Sequence, residues 1–294
     1  MYGTEAPKNV EVIAKSISSD HREIKMSNPK VLIPMSDYGH DPTETSIPYH
    51  AFKSAGFDVQ FATENGATPE CDRRMLDGIT QKLLGATSAT VALYNSMSQT
   101  PEFKSPVAWS SQSFSLSSYD LVFLPGGHEK SVRQLIDSDI MHRHLAVYWK
   151  DVKKPGKKTV AAVCHGVMVL SETMLDGEAK KSIIHDCDTT ALPGAFEGLA
   201  YWGTRWALGD YYKTYGAGSE SVETSVRGRL DDPAKQYKNS LGLSPFRWKP
   251  KMVANKSRFV VEDENYNYVS ARFPGDAQLL ADTVIKLVQN TTGA

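Results

Sequence analysis

Three short stretches of the chain carry side chains that could do chemistry. In Ala162-Val163-Cys164-His165-Gly166 an apolar run ends on a cysteine and a histidine. A nucleophile between a strand and a helix sits on a tight turn that lifts its side chain out of the sheet. The helix start behind it offers N–H groups and partial positive charge, which favour thiolate over thiol. Gly126-Gly127 closes a second apolar run, and paired glycines let backbone N–H groups serve as oxyanion donors beside a nucleophile. Glu44 offers a carboxyl that could bond the sulfur or act as acid or base. Each stretch also has a plainer reading: a buried core cysteine, a tight turn and a helix cap. On pattern alone the cap is the favoured reading of Glu44.

The elements that must position these groups follow from periodicity and punctuation. Val31 to Met35 reads as a buried strand, followed by a loop from Ser36 to His40. Asp41 as N-cap, Pro42 at the first helical position and Glu44 three residues after the cap predict a helix to Ser54-Ala55, ended by Gly56. Strands are predicted at Phe57–Ala62, Tyr119–Leu124, Thr159–Val163 and Ser182–His185. Helices are predicted over Ser131–Trp149, Val167–Met174 and Ala277–Val288, and a hairpin over Arg258–Ala271 turning near Asp263-Glu264-Asn265. Strands alternating with helices imply a mostly parallel sheet covered on both faces. Sites in such folds lie beyond the carboxyl ends of the strands, where Ser36 onward, Pro125-Gly126-Gly127 and Cys164-His165 would meet. Residues 1–29 read as a polar N-terminal extension. The stretch of about 187–257, rich in aromatics and then polar, breaks the alternation and reads as an inserted helical cap.

Glu44-Thr45-Ser46-Ile47-Pro48, Pro125-Gly126-Gly127-His128 and Ala161 to Gly166, in this order and context, resemble the ThiJ/PfpI family of the class I glutamine-amidotransferase-like superfamily. The resemblance runs from about Lys30 to Val288 and points to a branch near the glyoxalase-III and heat-shock chaperone members. It implies an α/β, flavodoxin-like three-layer sandwich with a mostly parallel central sheet, spanning residues 30–290 with the cap inserted. Cys164 then matches the reactive elbow cysteine, Glu44 the glutamate that contacts it and His165 the histidine that follows it. Gly127, beside Gly126, matches the oxyanion-hole glycine, and His128 resembles the histidine after the glycine pair. An acidic residue would orient His165; Glu197 is the preferred candidate, with Asp186 and Asp188 as competitors. Thr189 to Glu197, Trp202 to Tyr215 and Ser270 to Asp276 depart from the better-studied members. The activity implied is a cofactor-free, glutathione-independent conversion of 2-oxoaldehydes to 2-hydroxy acids through Cys164. Alternatives are a stress-response chaperone or redox sensor with an oxidisable cysteine, and an amidase- or peptidase-like hydrolase. A homodimer is expected by family analogy.

Composition bounds these readings. The chain has 294 residues, Lys+Arg 33 against Asp+Glu 34, and three cysteines. The balanced charge argues against a general nucleic-acid binder and suits a small substrate of little charge. No apolar run reaches the ~20 residues of a membrane span. Few and odd cysteines, with no secretory pattern at the N-terminus, fit a reducing compartment, so a cytoplasmic location is expected. Cys71 and Cys187 read as structural, and His21, His50, His142, His144 and His185 as surface or packing residues. No spacing suggests a zinc site. Trp202 and Tyr211 are candidates for a pocket mouth.

Overall fold

Val31, Leu32 and Ile33 are wholly buried, as are Leu121 to Leu124 and Val160 to Val163, the pattern of strands covered on both faces. The computed structural model describes residues 28–78, 81, 85–177, 180–239 and 258–293. Nearly all of the expected N-terminal extension, and residues 240–257 of the expected cap, lie outside the described residues.

The strands are β1 (Lys30–Pro34), β2 (Tyr38–His40), β3 (Asp58–Thr63), β4 (Glu70–Cys71), β5 (Val107–Ala108), β6 (Leu121–Leu124), β7 (Thr159–Val163), β8 (Val260–Glu262) and β9 (Tyr268–Ala271). Seven form one sheet in the order β5-β3-β1-β6-β7-β9-β8, parallel except for the β8–β9 hairpin; β2 and β4 pair separately. The helices are α1 (Pro42–Ser54), α2 (Ser88–Ser98), α3 (Pro101–Lys104), α4 (Arg133–Ile136), α5 (Asp139–Tyr148), α6 (Gly166–Glu172), α7 (Gly194–Leu208), α8 (Val222–Arg227), α9 (Pro233–Gln236) and α10 (Ala277–Thr292). Successive side chains on a strand point to opposite faces, so the sheet divides two cores. Val31, Ile33, Phe123 and Val163 join Phe52 of α1 and Val284 of α10. Leu32, Val122, Leu124 and Ala162 join Leu135, Met141 and Val169 of α4, α5 and α6. This is the three-layer sandwich with a mostly parallel sheet that the sequence implied.

Three expectations fail locally, the first being the loop from Ser36 to His40, which contains β2 paired with β4. The helix predicted over Ser131–Trp149 breaks between α4 and α5, because the Ser138 hydroxyl caps a new helix by accepting from Met141 N. Ser182–His185 is not a strand: Ser182 makes a single bridge to Met174, its hydroxyl accepts from Ile184 N, and the segment turns. In the region inserted before the hairpin, α8 packs on α6 and α7 packs on α8. Among the described residues, no helix is long and apolar enough to cross a membrane.

One buried ion pair fastens the end of the sheet to the last helix. Asp276 accepts from Arg272 Nε at 2.8 Å and Nη2 at 2.9 Å, and from Phe259 N at 2.8 Å. Both side chains are 1% exposed, and the guanidinium lies over the Phe273 ring at 4.6 Å. Removing one partner of such a pair leaves a buried charge without its counterion. Asp276→Ala is therefore expected to lose about 3–5 kcal/mol, read as a lower urea midpoint.

Candidate active site

Strands β1, β6 and β7 are neighbours in parallel, so the segments leaving their carboxyl ends arrive side by side. The β1 end leads through β2 into α1, the β6 end into Gly126-Gly127-His128, and the β7 end into Cys164. Cys164 has φ 58°, a left-handed conformation that costs a non-glycine residue of order 1–3 kcal/mol. Its N–H donates to Ala271 O at 3.1 Å, which ties the turn to β9.

Gly126 allows this turn to close on α1. A Cβ there would lie 2.6 Å from Glu44 Oε2, 2.7 Å from Cys164 Cβ and 2.9 Å from His165 N. Gly127, at φ +152°, passes close to the Gly39 carbonyl. Asp41 caps α1 as expected, accepting from Thr43 N at 2.7 Å and Glu44 N at 2.9 Å. The reciprocal half of the capping box is absent. Asp41 N donates instead to Gly126 O, and Glu44 turns inward, where its Oε2 accepts from Gly126 N at 3.0 Å. The Glu44 carboxyl also lies against the Cys164 sulfur, and its Oε1 has no protein partner among the described residues.

Burial dominates the electrostatics. It raises Glu44 well above the ordinary carboxyl range, helped by the charge of Asp41, so Glu44 holds its proton. It also raises Cys164, with Glu44 and Asp41 adding to the effect. At the start of α6 the His165 backbone N–H acts in the opposite direction and lowers Cys164. His165 falls to about 3, through burial and then the nearby His128 and Lys213. Burial thus opposes charge on thiol, carboxyl and imidazole alike.

Hydrogen bonding fixes the tautomer of His165. Thr214 Oγ1 donates to the His128 carbonyl at 2.8 Å, which uses its proton. It can then only accept from His165 Nε2, at 2.9 Å. Neutral His165 therefore carries its proton on Nε2 and presents a bare Nδ1 to Cys164 Sγ at 3.4 Å.

Glu197, the expected orienting acid, does not touch His165. It lines the same cavity, but its Oε1 pairs with Lys213 Nζ at 2.9 Å and its Oε2 accepts from Val222 N. Asp186 accepts from Tyr266, and Asp188 pairs with Lys238. The His128 ring stacks on Tyr212 at 4.6 Å and meets the edge of Tyr211 at 4.7 Å, and its Nε2 is 3.5 Å from Asp72. Burial lowers His128 to about 4.

Glu44, Cys164 and His165 line a cavity of about 140 Å³ together with Gly127 and His128. Its remaining walls include Met75, Leu192, Phe196, Tyr212 and Pro274. Of the pocket-mouth candidates, Trp202 is 65% exposed and lies outside this wall, while Tyr211 is bonded to Asp72. A wider surface cleft of about 450 Å³, beside Asp137, His142 and Glu172, holds none of the three reactive groups.

Sequence reasoning missed Thr214 and Tyr212. Both lie in Gly209-Asp210-Tyr211-Tyr212-Lys213-Thr214-Tyr215-Gly216, whose one visible signal is aromatic density between glycines. The segment is strapped across the site by Asp210–Lys130, Tyr211–Asp72 and Tyr215–Asp137 as well as by Thr214.

A flavodoxin-like sandwich with a cysteine elbow facing a helix-borne glutamate defines the class of protein. Within that class the chain belongs to the ThiJ/PfpI family, whose ThiJ/PfpI family-like model matches residues 35–240. A Schizosaccharomyces pombe protein described as uncharacterized, C14C4.04, is 29% identical over 269 residues, covering 91% of this chain and 85% of that one. Glyoxalase III from Candida albicans is similar in structure at TM-score 0.55 and 18% identity, over 88% of this chain and 97% of its own. Rapid Encystment Protein 24 from Francisella tularensis matches at TM-score 0.55 and 17% identity, over 88% and 99%. Likeness at these identities shows the fold alone.

Two outcomes follow from this geometry. Thr214→Val should slow alkylation of Cys164 by iodoacetamide about tenfold, equivalent to 1.4 kcal/mol, while Thr214→Ser retains the rate; modification is read by mass spectrometry. The second concerns Glu44. Above the ordinary carboxyl value of 4.5 the unfolded chain has released a proton that folded Glu44 keeps. Its contribution to stability therefore falls by about 1.4 kcal/mol per pH unit up to the folded value. Glu44→Gln, neutral and of the same shape, should melt higher than the parent near pH ~8, with the gap closing toward pH ~4.

Proposed function

We propose that the protein is a cysteine-dependent enzyme of glyoxalase type, converting a small 2-oxoaldehyde such as methylglyoxal to its 2-hydroxy acid without glutathione. The observation that carries the reading is the Cys164 thiol, the Glu44 carboxyl and the His165 imidazole lining one cavity of about 140 Å³. That volume suits a reacting group roughly the size of benzene.

Cys164 Sγ adds to the aldehyde carbon while its proton passes to His165 Nδ1 and Glu44 protonates the aldehyde oxygen. The product is a hemithioacetal beside a carboxylate and an imidazolium. Glu44 removes the proton from the former aldehyde carbon, and His165 protonates the neighbouring carbonyl oxygen, giving an enediol. Glu44 returns its proton to the second carbon as the hydroxyl proton of the first passes to His165, which leaves a Cys164 thioester of the 2-hydroxy acid. Water adds to the thioester, giving one proton to Glu44; the carbon–sulfur bond breaks, and His165 reprotonates the thiol. Backbone N–H groups of Gly127 and His165 hold the oxygen on the attacked carbon. A redox-sensing role is less well supported, because it needs only the cysteine and the glutamate and leaves His165, set against the sulfur at 3.4 Å, without a part.

Formation of lactate from methylglyoxal in glutathione-free buffer tests this. Cys164→Ala is expected to fall to the uncatalysed rate; a full rate in that variant removes the proposal.

A further inference from the structure

The titratable groups around Cys164 are nearly closed off, and the rest of the cavity is hydrocarbon for the most part. Glu44, Cys164 and His165, with Asp41 and Glu197 in the same lining, are each no more than 6% exposed. Leu192, Phe196, Ala200 and Pro274 are half-buried and keep surface that an occupant can touch. His128 is the one polar residue among the half-buried members, and its ring is stacked on Tyr212. Phe196 and Ala200 stand one turn apart on α7, and residues four apart share a helix face. The Phe196 ring packs on Phe273 at 5.1 Å, and Phe273 in turn lies under the guanidinium of the buried Arg272–Asp276 pair. Helix α7 thus presents a fixed apolar wall to the cavity that holds the sulfur.

A charged or hydroxylated substituent finds little to bond on that wall. Both carboxylate oxygens of Glu197 are taken, one by Lys213 and one by Val222 N. Among the described residues, the lining holds no lysine or arginine, so an anion would meet Asp41 and Glu197 without a counterion. A hydroxyl pressed against the wall gives up water and gains no partner, which is costly. A methyl group in its place gains by leaving water. We infer that the substrate is a 2-oxoaldehyde carrying an alkyl group, and that Phe196 with Ala200 forms the surface on which that group lies. These two residues then set alkyl above hydroxyalkyl and anionic 2-oxoaldehydes. The inference rests on the glyoxalase-type reading and adds to it the substituent on the second carbonyl carbon, which the chemistry at Cys164 leaves open. Its warrant is the division of the lining, with buried titratable groups around the sulfur and accessible hydrocarbon on α7.

The test compares 2-oxobutanal with 3-hydroxy-2-oxopropanal, which differ only by a methyl group in place of a hydroxyl. Both are offered in glutathione-free buffer, and formation of the 2-hydroxy acid is measured. In the parent, kcat/KM should be at least about tenfold higher for 2-oxobutanal, since a hydrophobic pocket separates such a pair by up to ~100-fold. Phe196→Gln should lower this ratio about tenfold, whereas Phe196→Leu should keep it. Comparing ratios between variants sets aside the intrinsic reactivity of the two compounds. Ala200→Ser, which leaves the Phe273 contact in place, should lower the ratio as well. A parent that converts both compounds without preferring 2-oxobutanal refutes this inference alone, as does a ratio that neither Phe196→Gln nor Ala200→Ser alters. Failure of the parent to convert either compound refutes the glyoxalase-type reading and this inference together.

Discussion

The site depends on one close approach: the turn at Gly126 pressed between Glu44 on α1 and Cys164 on its left-handed elbow. A single added carbon at 126 would meet the Glu44 carboxyl, the cysteine Cβ and the His165 nitrogen, each within 3 Å. The same contact directs Glu44, because Gly126 N–H is the donor that draws its carboxyl inward rather than back toward its own helix cap. It also defines how β1, β6 and β7 must align, since these residues leave the ends of three adjacent strands. The strain at Cys164 is sustained by this packing and by the bond from its N–H to β9.

From that approach follows the electrostatic character of the site. Two carboxyls, Glu44 and Asp41, stand near one sulfur with little solvent, so ionising any of them is opposed by burial and by the others. In the proposed reaction, charge appears on Glu44 and His165 together, as the sulfur adds to a carbon and its proton moves to His165. A site of this kind has no standing field to attract a polyanion, consistent with the near balance of charge over the whole chain.

Strongly local features were legible in the sequence. Strand β7 begins and ends where its apolar run does, and α1 starts where Asp41 and Pro42 mark it. What was not legible is what tertiary contacts decide. Glu44 at the third helical position is compatible with a capping box and with a side chain turned inward, and the choice belongs to Gly126, far along the chain. Ser138 splits a continuous amphipathic run because a serine that can cap competes with a serine inside a helix. Ser182 to His185 has a strand-like composition but turns, with the Ser182 hydroxyl bonded to Ile184 N. Thr214 carries no pattern at all; it reaches His165 only because the strap around it is anchored by Asp210, Tyr211 and Tyr215.

The replacement of an expected acid by Thr214 has a chemical consequence. A carboxylate on Nε2 would favour the imidazolium and hold positive charge on His165 at rest, beside a buried thiol. A hydroxyl whose proton is already given to His128 O fixes the same tautomer without that charge. In the proposed reaction His165, lowered to about 3, accepts the thiol proton as negative charge appears on Glu44. Glu197 is then free to neutralise Lys213, the cation whose nearby charge helps to depress His165. The carboxylate does not orient the histidine; it compensates the cation beside it and accepts from Val222 N.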